Sequence, residues 1–535
     1  MAMQVSDILR ATTDMDVQAA IHRLPNELLS IVLLLVKNET IAEAQSSNKE
    51  RPRPRQSFRW LPLSLVCRHW RKVALATKTL WTSLEVEEHT LEWYNLAIAR
   101  AQNAPLDIRF MHAHLAVAAF PSLAPLSACI CRLAIADDNP TLVSILDIME
   151  LNMPSLVELE LVNKNPSLEN VIPSRKLAFS QNQFPSLRIL RVSHVMFTQT
   201  SAFENLQVLD LRMCSFEGDP LSWPQFLKFL DKCHALEELR LYRILSTALV
   251  NPPNSSVPTT ASPSKLRKLV LHDKPTHVTR FLSHYTFPPD MILRLTAWNA
   301  GPIRDTPVVT SMLEGLLPIG RHRIVDMRRI TRAEVDNLLE SVKVRGWELA
   351  DERSRSDPLV ALKLPGYLFG VENLWYDALR NALVAFTRLF ARAPLRTLNI
   401  NGGFNGVSTR LWVRVFEAFP TLEVLNCLGH DPFDAFLCAL GQPRLVTALT
   451  ELAQAEPVLP RLRELSLTGF EWREGVLEAL VGVLERRELR NLPRLEGLFV
   501  FMDVQGDVNE YKRSKALFLH QVSRRVGSVS CKRYS

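Results

Sequence analysis

From residue 156 onward one apolar pattern keeps returning, a Leu followed by apolar residues three and five positions later. It occurs at Leu156, Leu159 and Leu161; Leu187, Leu190 and Val192; Leu206, Leu209 and Leu211; Leu236, Leu239 and Leu241; and Leu266, Leu269 and Leu271. It returns at Leu395, Leu398 and Ile400; Leu422, Leu425 and Cys427; Leu462, Leu465 and Leu467; and Leu495, Leu498 and Val500. A helix repeats at steps of three, four and seven, whereas the closing two-residue step puts both side chains on one face of a strand. The pattern therefore predicts short strands, each with its first Leu packing the turn that leads into it. Between most copies lies a helical stretch such as WPQFLKFLDKC (223–233) or TRLWVRVFEAF (409–419), which would cover one side of the sheet. Two weaker copies, Leu106-Ile108-Phe110 and Ile130-Leu133-Ile135, extend the series toward the N-terminus. Residues 301–375 hold no full copy, but HRIVDM (322–327) and PLVALKL (358–364) read as strands with degenerate leucines.

The first 90 residues follow a different period. Pro25 suits a first helical position and Glu27 puts a negative charge in the first turn, where the helix dipole favours it. Leu24, Leu28, Ile31, Val32 and Leu35 then recur at steps of three and four, and Lys37 stands where a helix end favours a cation. A second helix puts Val66, Trp70, Val73 and Ala74 on one face and Arg68, His69, Arg71 and Lys72 on the other. Leu28, Leu29, Leu33 and Leu34 widen the first stripe beyond one face, so part of it is expected to be covered by another chain.

The order Leu-Pro-x-Glu-Leu-Leu, then Val-Cys-Arg-x-Trp with Ala74 behind it, then Leu80-Trp81, resembles the F-box family over residues 24–84, in the manner of an F-box-like domain of fungal type. The resemblance implies a helical module that hangs on a Skp-family adaptor and, through it, on a cullin. It also implies that Leu24, Pro25, Leu28, Leu29, Val66, Cys67 and Trp70 grip the adaptor or frame that grip. The insert from Asn38 to Trp60 is longer than the family's usual connection. The later pattern, L-x-x-L-x-L, resembles the start of a leucine-rich repeat. Its first leucines are 31, 19, 30 and 30 residues apart in the first half and 27, 40 and 33 in the second. Tidy repeats keep a period of roughly 20–29 residues.

The expected fold class is α/β: a small all-helical F-box module followed by an irregular leucine-rich-repeat solenoid, with parallel strands on the concave face and helices outside. The expected division is a tail over 1–20, an F-box-like domain over 21–90 with a disordered insert at 38–60, repeats over 91–522 with a loop at 251–265, and a tail over 523–535. The loop NPPNSSVPTTASPSK is rich in Pro and Ser and poor in apolar residues.

Composition adds limits. Forty-seven percent of the 535 residues are hydrophobic, ample for a large core, and the net charge of +7 comes without an extended basic block. No DNA- or RNA-binding motif accompanies it, so nucleic acid is not an expected partner. The segment KERPRPRQSFR (49–59) reads either as a nuclear-import signal or as a solvated loop. The eight cysteines lack framework spacing and suit reduced thiols. Cys129 and Cys131 are the one close pair, and buried strand thiols are the expectation there over a metal site. The longest apolar run, Leu28–Val36, is far too short to span a bilayer, and no signal-peptide pattern precedes it. The expected location is cytoplasmic, nuclear or both, with no membrane partner.

No phosphate loop, H-E-x-x-H or G-x-S-x-G motif occurs, and the thirteen histidines are scattered. The chain reads as a non-catalytic protein with no cofactor. Binding residues are expected instead between the paired apolar positions of each strand, pointing away from the helices. Arg191, Arg212, Arg240 and Lys268 would then form a basic row on neighbouring strands, with Tyr242 and His272 beside it and Asp210 and Glu238 as local partners. Phe499 and Phe501 would expose two aromatics further along. Two readings remain open: the client-recognition subunit of an SCF-type cullin-RING ubiquitin ligase with an unknown protein client, or a leucine-rich scaffold whose helices only cap the repeats.

Overall fold

In a computed structural model the described residues are 24–46, 60–137, 146–163, 176–200, 204–216, 223–245, 260–261, 264–298, 307–317, 325–338, 341–348, 357–365, 377–442, 458–473, 475–504 and 508–533. The fold is mixed α/β with extensive, mostly parallel sheet. Contacts divide the chain into two compact units, Met1–Leu206 with Met213–Glu217, and Gln207–Arg212 with Gly218–Ser535. The N-terminal helices, expected to form a module of their own over 21–90, thus share one unit with the first strands.

In the first unit β1 (Ser83–Val86), β2 (Leu106–Phe110), β3 (Ile130–Asp137), β4 (Glu158–Asn163) and β5 (Ile189–Ser193) pair in chain order, all parallel. A small second sheet joins Lys176–Phe179, Met196–Thr200 and Ser215–Phe216. In the second unit the strands are β6 (Val208–Arg212), β7 (Glu238–Tyr242), β8 (Lys268–Asp273), β9 (Ile292–Ala297), β10 (Ile330–Leu338), β11 (Ser341–Glu348), β12 (Val360–Pro365), β13 (Thr397–Asn401), β14 (Val424–Leu428), β15 (Glu464–Glu471), β16 (Leu495–Asp503) and β17 (Val526–Arg533). They pair in chain order except at one place. There β9 neighbours β12, β12 neighbours β11, β11 neighbours β10, and β10 neighbours β13. The chain passes over two strand positions, returns through an antiparallel meander, and then resumes the parallel series.

All nine leucine patterns fall on or beside strands, and every one of their apolar positions is buried. The first Leu closes a repeated turn: the amides of Leu156, Leu187, Leu236, Leu422 and Leu462 each donate to the carbonyl three residues earlier at 3.1–3.3 Å. Because the other two leucines point into the core, the residues between them must point to the opposite side. Burial of such a side chain contributes about 1.5–3 kcal/mol, so it is the stack of strands that holds the fold.

Several expectations need correction. Of the segment 322–327, Val325–Met327 lie in a bend and a 3₁₀ turn rather than a strand, and 322–324 fall outside the described residues. Strands β10 and β11 supply the sheet there instead. The expected tail 523–535 contains β17, which pairs with β16 from Leu495↔Val526 to Met502↔Arg533. The insert 38–60 is shortened at both ends, because the first helix continues to Ser46 and Trp60 is buried, edge-on to Trp81 at 5.1 Å. The remainder of that insert, the import-signal candidate 49–59, the tail 1–20 and residues 251–259 of the expected loop lie outside the described residues. Thr260 and Ala261 pair with Tyr285 and Thr286. Cys129 and Cys131 are half-buried rather than buried, and among the described residues no group of side chains suits a metal ion.

The helix Leu91–Ala101 ends in Gln102, an exposed residue at φ 52°, ψ −122°, a region that favours Gly. Replacing Gln102 by Gly should stabilise the protein by about 1 kcal/mol, read as a higher urea midpoint at unchanged slope.

Candidate interaction surfaces

The first surface is built by α1 (Asn26–Ser46), the 3₁₀ turn Leu61–Leu65 and α2 (Arg68–Ala76). Residues four apart on α1, namely Leu29, Leu33 and Lys37, face inward and are buried. The residues expected to form the packed stripe are turned outward: Leu28 is 49% exposed, Ile31 51% and Leu35 61%. Leu65, which ends the 3₁₀ turn, and Val66, which follows it, are 74% and 53% exposed. The seven residues expected at an adaptor contact thus divide. Pro25, Leu28 and Val66 are exposed, Leu24 and Cys67 are half-buried, and Leu29 and Trp70 belong to the core. Cys67 caps α2, accepting from the amide of Trp70 at 3.5 Å. Trp81 donates its indole N–H to the carbonyl of Ala74 at 3.0 Å, fixing α2 to the turn that leads into β1.

Lys37 was expected at a helix end. The helix instead runs on, and Lys37 is a buried interior residue whose Nζ donates to the carbonyls of Thr79 at 2.9 Å and Leu80 at 3.2 Å. Burial lowers its pKa from 10.5 to about 8, with Asp107 acting in the opposite sense. The ammonium therefore clamps α1 to the 3₁₀ turn Lys78–Trp81 at a cost in desolvation.

The second surface is the outward side of the strands, where the expected basic row is closely compensated. In the first unit Arg191 is hydrogen-bonded to Glu158, Arg132 lies 3.6 Å from Glu158 and 3.7 Å from Asp107, and Arg109 lies 3.7 Å from Glu160. In the second unit the register aligns Arg212 with Tyr242 and His272, and Asp210 with Arg240 and Val270. Arg212 holds the buried Asp210 through two bonds of 2.9 Å and lies over the Tyr242 ring at 4.8 Å. Arg240 donates to Glu238 at 2.8 Å, and Lys268 reaches the same carboxylate at 3.0 Å. Burial pushes Glu238 up, but the bonds from Arg240 and Lys268 outweigh it and hold the carboxyl below its usual range. Tyr242 and His272 stack obliquely at 5.8 Å. Asp210 and Glu238 were visible as neighbours in the sequence, and the structure turns them into direct partners of the arginines.

Toward the C-terminus the central outward positions of the same side become neutral. Asn426 donates to Asn399 at 2.9 Å, and Ser466 follows in register. Phe499 and Phe501, expected as two exposed aromatics, are half-buried between the rows of β15 and β17. They lack the open position because β17 adds a further strand beside them. Sequence reasoning missed the outward residues of the meander, Lys343, Arg345 and Trp347 on β11 and Lys363 on β12. The signal available was the plain alternation of SVKVRGWE, a strand without leucines.

Because Lys37 binds its proton more weakly in the folded than in the unfolded chain, folding is penalised below about pH 8 and the penalty fades as pH rises toward 10.5. Unfolding free energies measured from pH 7 to 10 should rise more steeply in the wild type than in Lys37→Met. Parallel curves would show that Lys37 does not titrate in this window.

No family model matches this chain, and no curated protein matches its sequence.

Proposed function

We propose that this chain is the client-recognition subunit of an SCF-type cullin-RING ubiquitin ligase. In this reading the N-terminal helices act as an F-box that carries a Skp-family adaptor, and through it a cullin. The strands act as an irregular leucine-rich-repeat solenoid whose open side takes a protein client. The observation that carries the reading is the outward row Leu28, Ile31 and Leu35 on α1, together with Leu65 and Val66, which are exposed on the segment before α2. Large apolar side chains exposed together mark a surface that another chain covers. They occur where the sequence resembles an F-box, on helices whose inner sides are already occupied by Leu29, Leu33, Trp70 and Val73. A receptor of this kind needs no catalytic centre, since the ubiquitin-transfer chemistry belongs to other subunits. Among the described residues no helix is long and apolar enough to cross a membrane.

The second reading, a scaffold whose helices only cap the repeats, draws on the inward packing of Leu29 and the Lys37 clamp. The two readings part on the outward row. Placing Asp at both Leu28 and Ile31 should abolish co-purification of a Skp adaptor, because losing two apolar anchors costs about 100-fold or more in affinity. Its melting temperature should stay near wild type, whereas Leu29→Ala should lower stability by roughly 2–5 kcal/mol. A wild-type chain that captures no adaptor in the same assay would leave the scaffold reading standing.

A further inference from the structure

Positive charge on the open side of the second unit is not evenly neutralised. Arg212, Arg240 and Lys268 each have a carboxylate within 3.0 Å. On the meander, Lys343 and Lys363 stand directly opposite each other across the antiparallel pair β11 and β12. Both point outward, because the flanking Val342, Val344, Leu362 and Leu364 are buried. Neither has an ion pair or side-chain hydrogen bond among the described residues. The nearby acids are engaged elsewhere. Asp336 is the neighbour of Lys343 on its other side, yet its carboxylate lies 3.2 Å from Arg345, which also holds Glu334 at 2.6 Å. Asp357 pairs with Arg294 at 2.5 Å. Arg332, opposite Trp347 in the register, lies over the indole at 5.3 Å.

Like charges directly opposite on neighbouring strands destabilise a sheet. The free protein keeps this cost although the adjacent strand carries carboxylates that could have relieved it. An anion seated between the two ammonium groups removes the repulsion and gains two charge-assisted contacts. Lys343 and Trp347 are four residues apart on β11, about 13 Å at the rise of an extended strand. An extended peptide lying along β11 can therefore place one acid at the lysine pair and a second at Arg332, about four residues away.

We infer that Lys343 and Lys363, with Arg332 beside Trp347, anchor an extended acidic segment of a protein client through its carboxylate or phosphate groups. That the segment belongs to a client rests on the receptor reading above; the charge arrangement does not.

The test uses the full chain and a labelled Gly-Ser peptide with two Glu residues about four positions apart, its phosphoserine counterpart, and a Gln control. Fluorescence anisotropy should show both acidic peptides binding more tightly than the control, with affinity falling as salt is raised. The better of the two identifies carboxylate or phosphate as the preferred group. Lys363→Glu should cut that affinity at least tenfold and raise the melting temperature, since it turns a like-charged pair into an opposite one. Arg212→Glu, the same charge change elsewhere on this side, should leave the peptide affinity within about twofold. Equal losses in the two variants, or wild-type binding in Lys363→Glu, would overturn the inference. Adaptor co-purification by Lys363→Glu is measured in parallel. Retained adaptor with unchanged peptide binding defeats this inference alone, while a wild-type chain without adaptor defeats the receptor reading alone.

Discussion

The two-residue step between buried leucines is the constraint from which most of the molecule follows. Leu239 and Leu241, Leu398 and Ile400, or Leu465 and Leu467 both point inward, and parallel pairing sets each pair beside the next in register. The first Leu of each pattern completes the core from the preceding turn, so a short strand buries three apolar side chains with few residues ordered. Whatever lies between the inward pair is delivered to the open side at a fixed spacing. The outward side of the sheet is thereby a consequence of the core, and its chemistry can vary at Arg240, Val270, Arg294 or Asn399 without disturbing the ladder beneath.

The N-terminal helices obey a second constraint. An amphipathic helix can satisfy one partner with one stripe, and α1 carries two. Leu29 and Leu33 pack inward, Lys37 continues the same stripe, and its ammonium is accommodated by two backbone carbonyls of the turn Lys78–Trp81. A buried amine is a costly way to end an apolar stripe, but it fixes the rotation of the helix about its axis. With that rotation set, Leu28, Ile31 and Leu35 have no alternative to the outside. The clamp and the exposed row are two sides of one arrangement.

Much of the fold was legible because leucines at three and five positions admit few other structures. All nine full patterns and both weaker ones fall on or beside strands. What could not be read has physical reasons. The rotation of α1 depends on which of two apolar stripes meets the rest of the chain, and periodicity treats the stripes alike. Strands β10 and β11 alternate Val, Ile and Ala with charged residues, as in ITRAEVDNL and SVKVRGWE, and lack the leucine spacing that identified the others. Their order in the sheet, reversed relative to the chain, is a matter of long-range pairing that no local pattern encodes. At β17 the segment VGSVSCKR has too few apolar residues to stand out, and it becomes a strand because β16 offers it an edge. On the surface, the position of Arg212 and Arg240 was readable, while the geometry that joins them to Asp210 and Glu238 was not.

That geometry changes where uncompensated positive charge resides. A row of arginines is a strong anion site only when its charges are available, and a guanidinium already holding a carboxylate through two bonds gives up one contact to make another. Arg212 and Arg240 therefore serve the sheet first, neutralising Asp210 and Glu238 and packing against Tyr242. The meander differs because its antiparallel strands bring two lysines into one register position with the neighbouring acids drawn off by Arg345. Parallel stacking repeats the same outward position on strand after strand and so favours compensated rows. Reversal of direction within the meander breaks that repetition, and it is at this break that uncompensated charge collects.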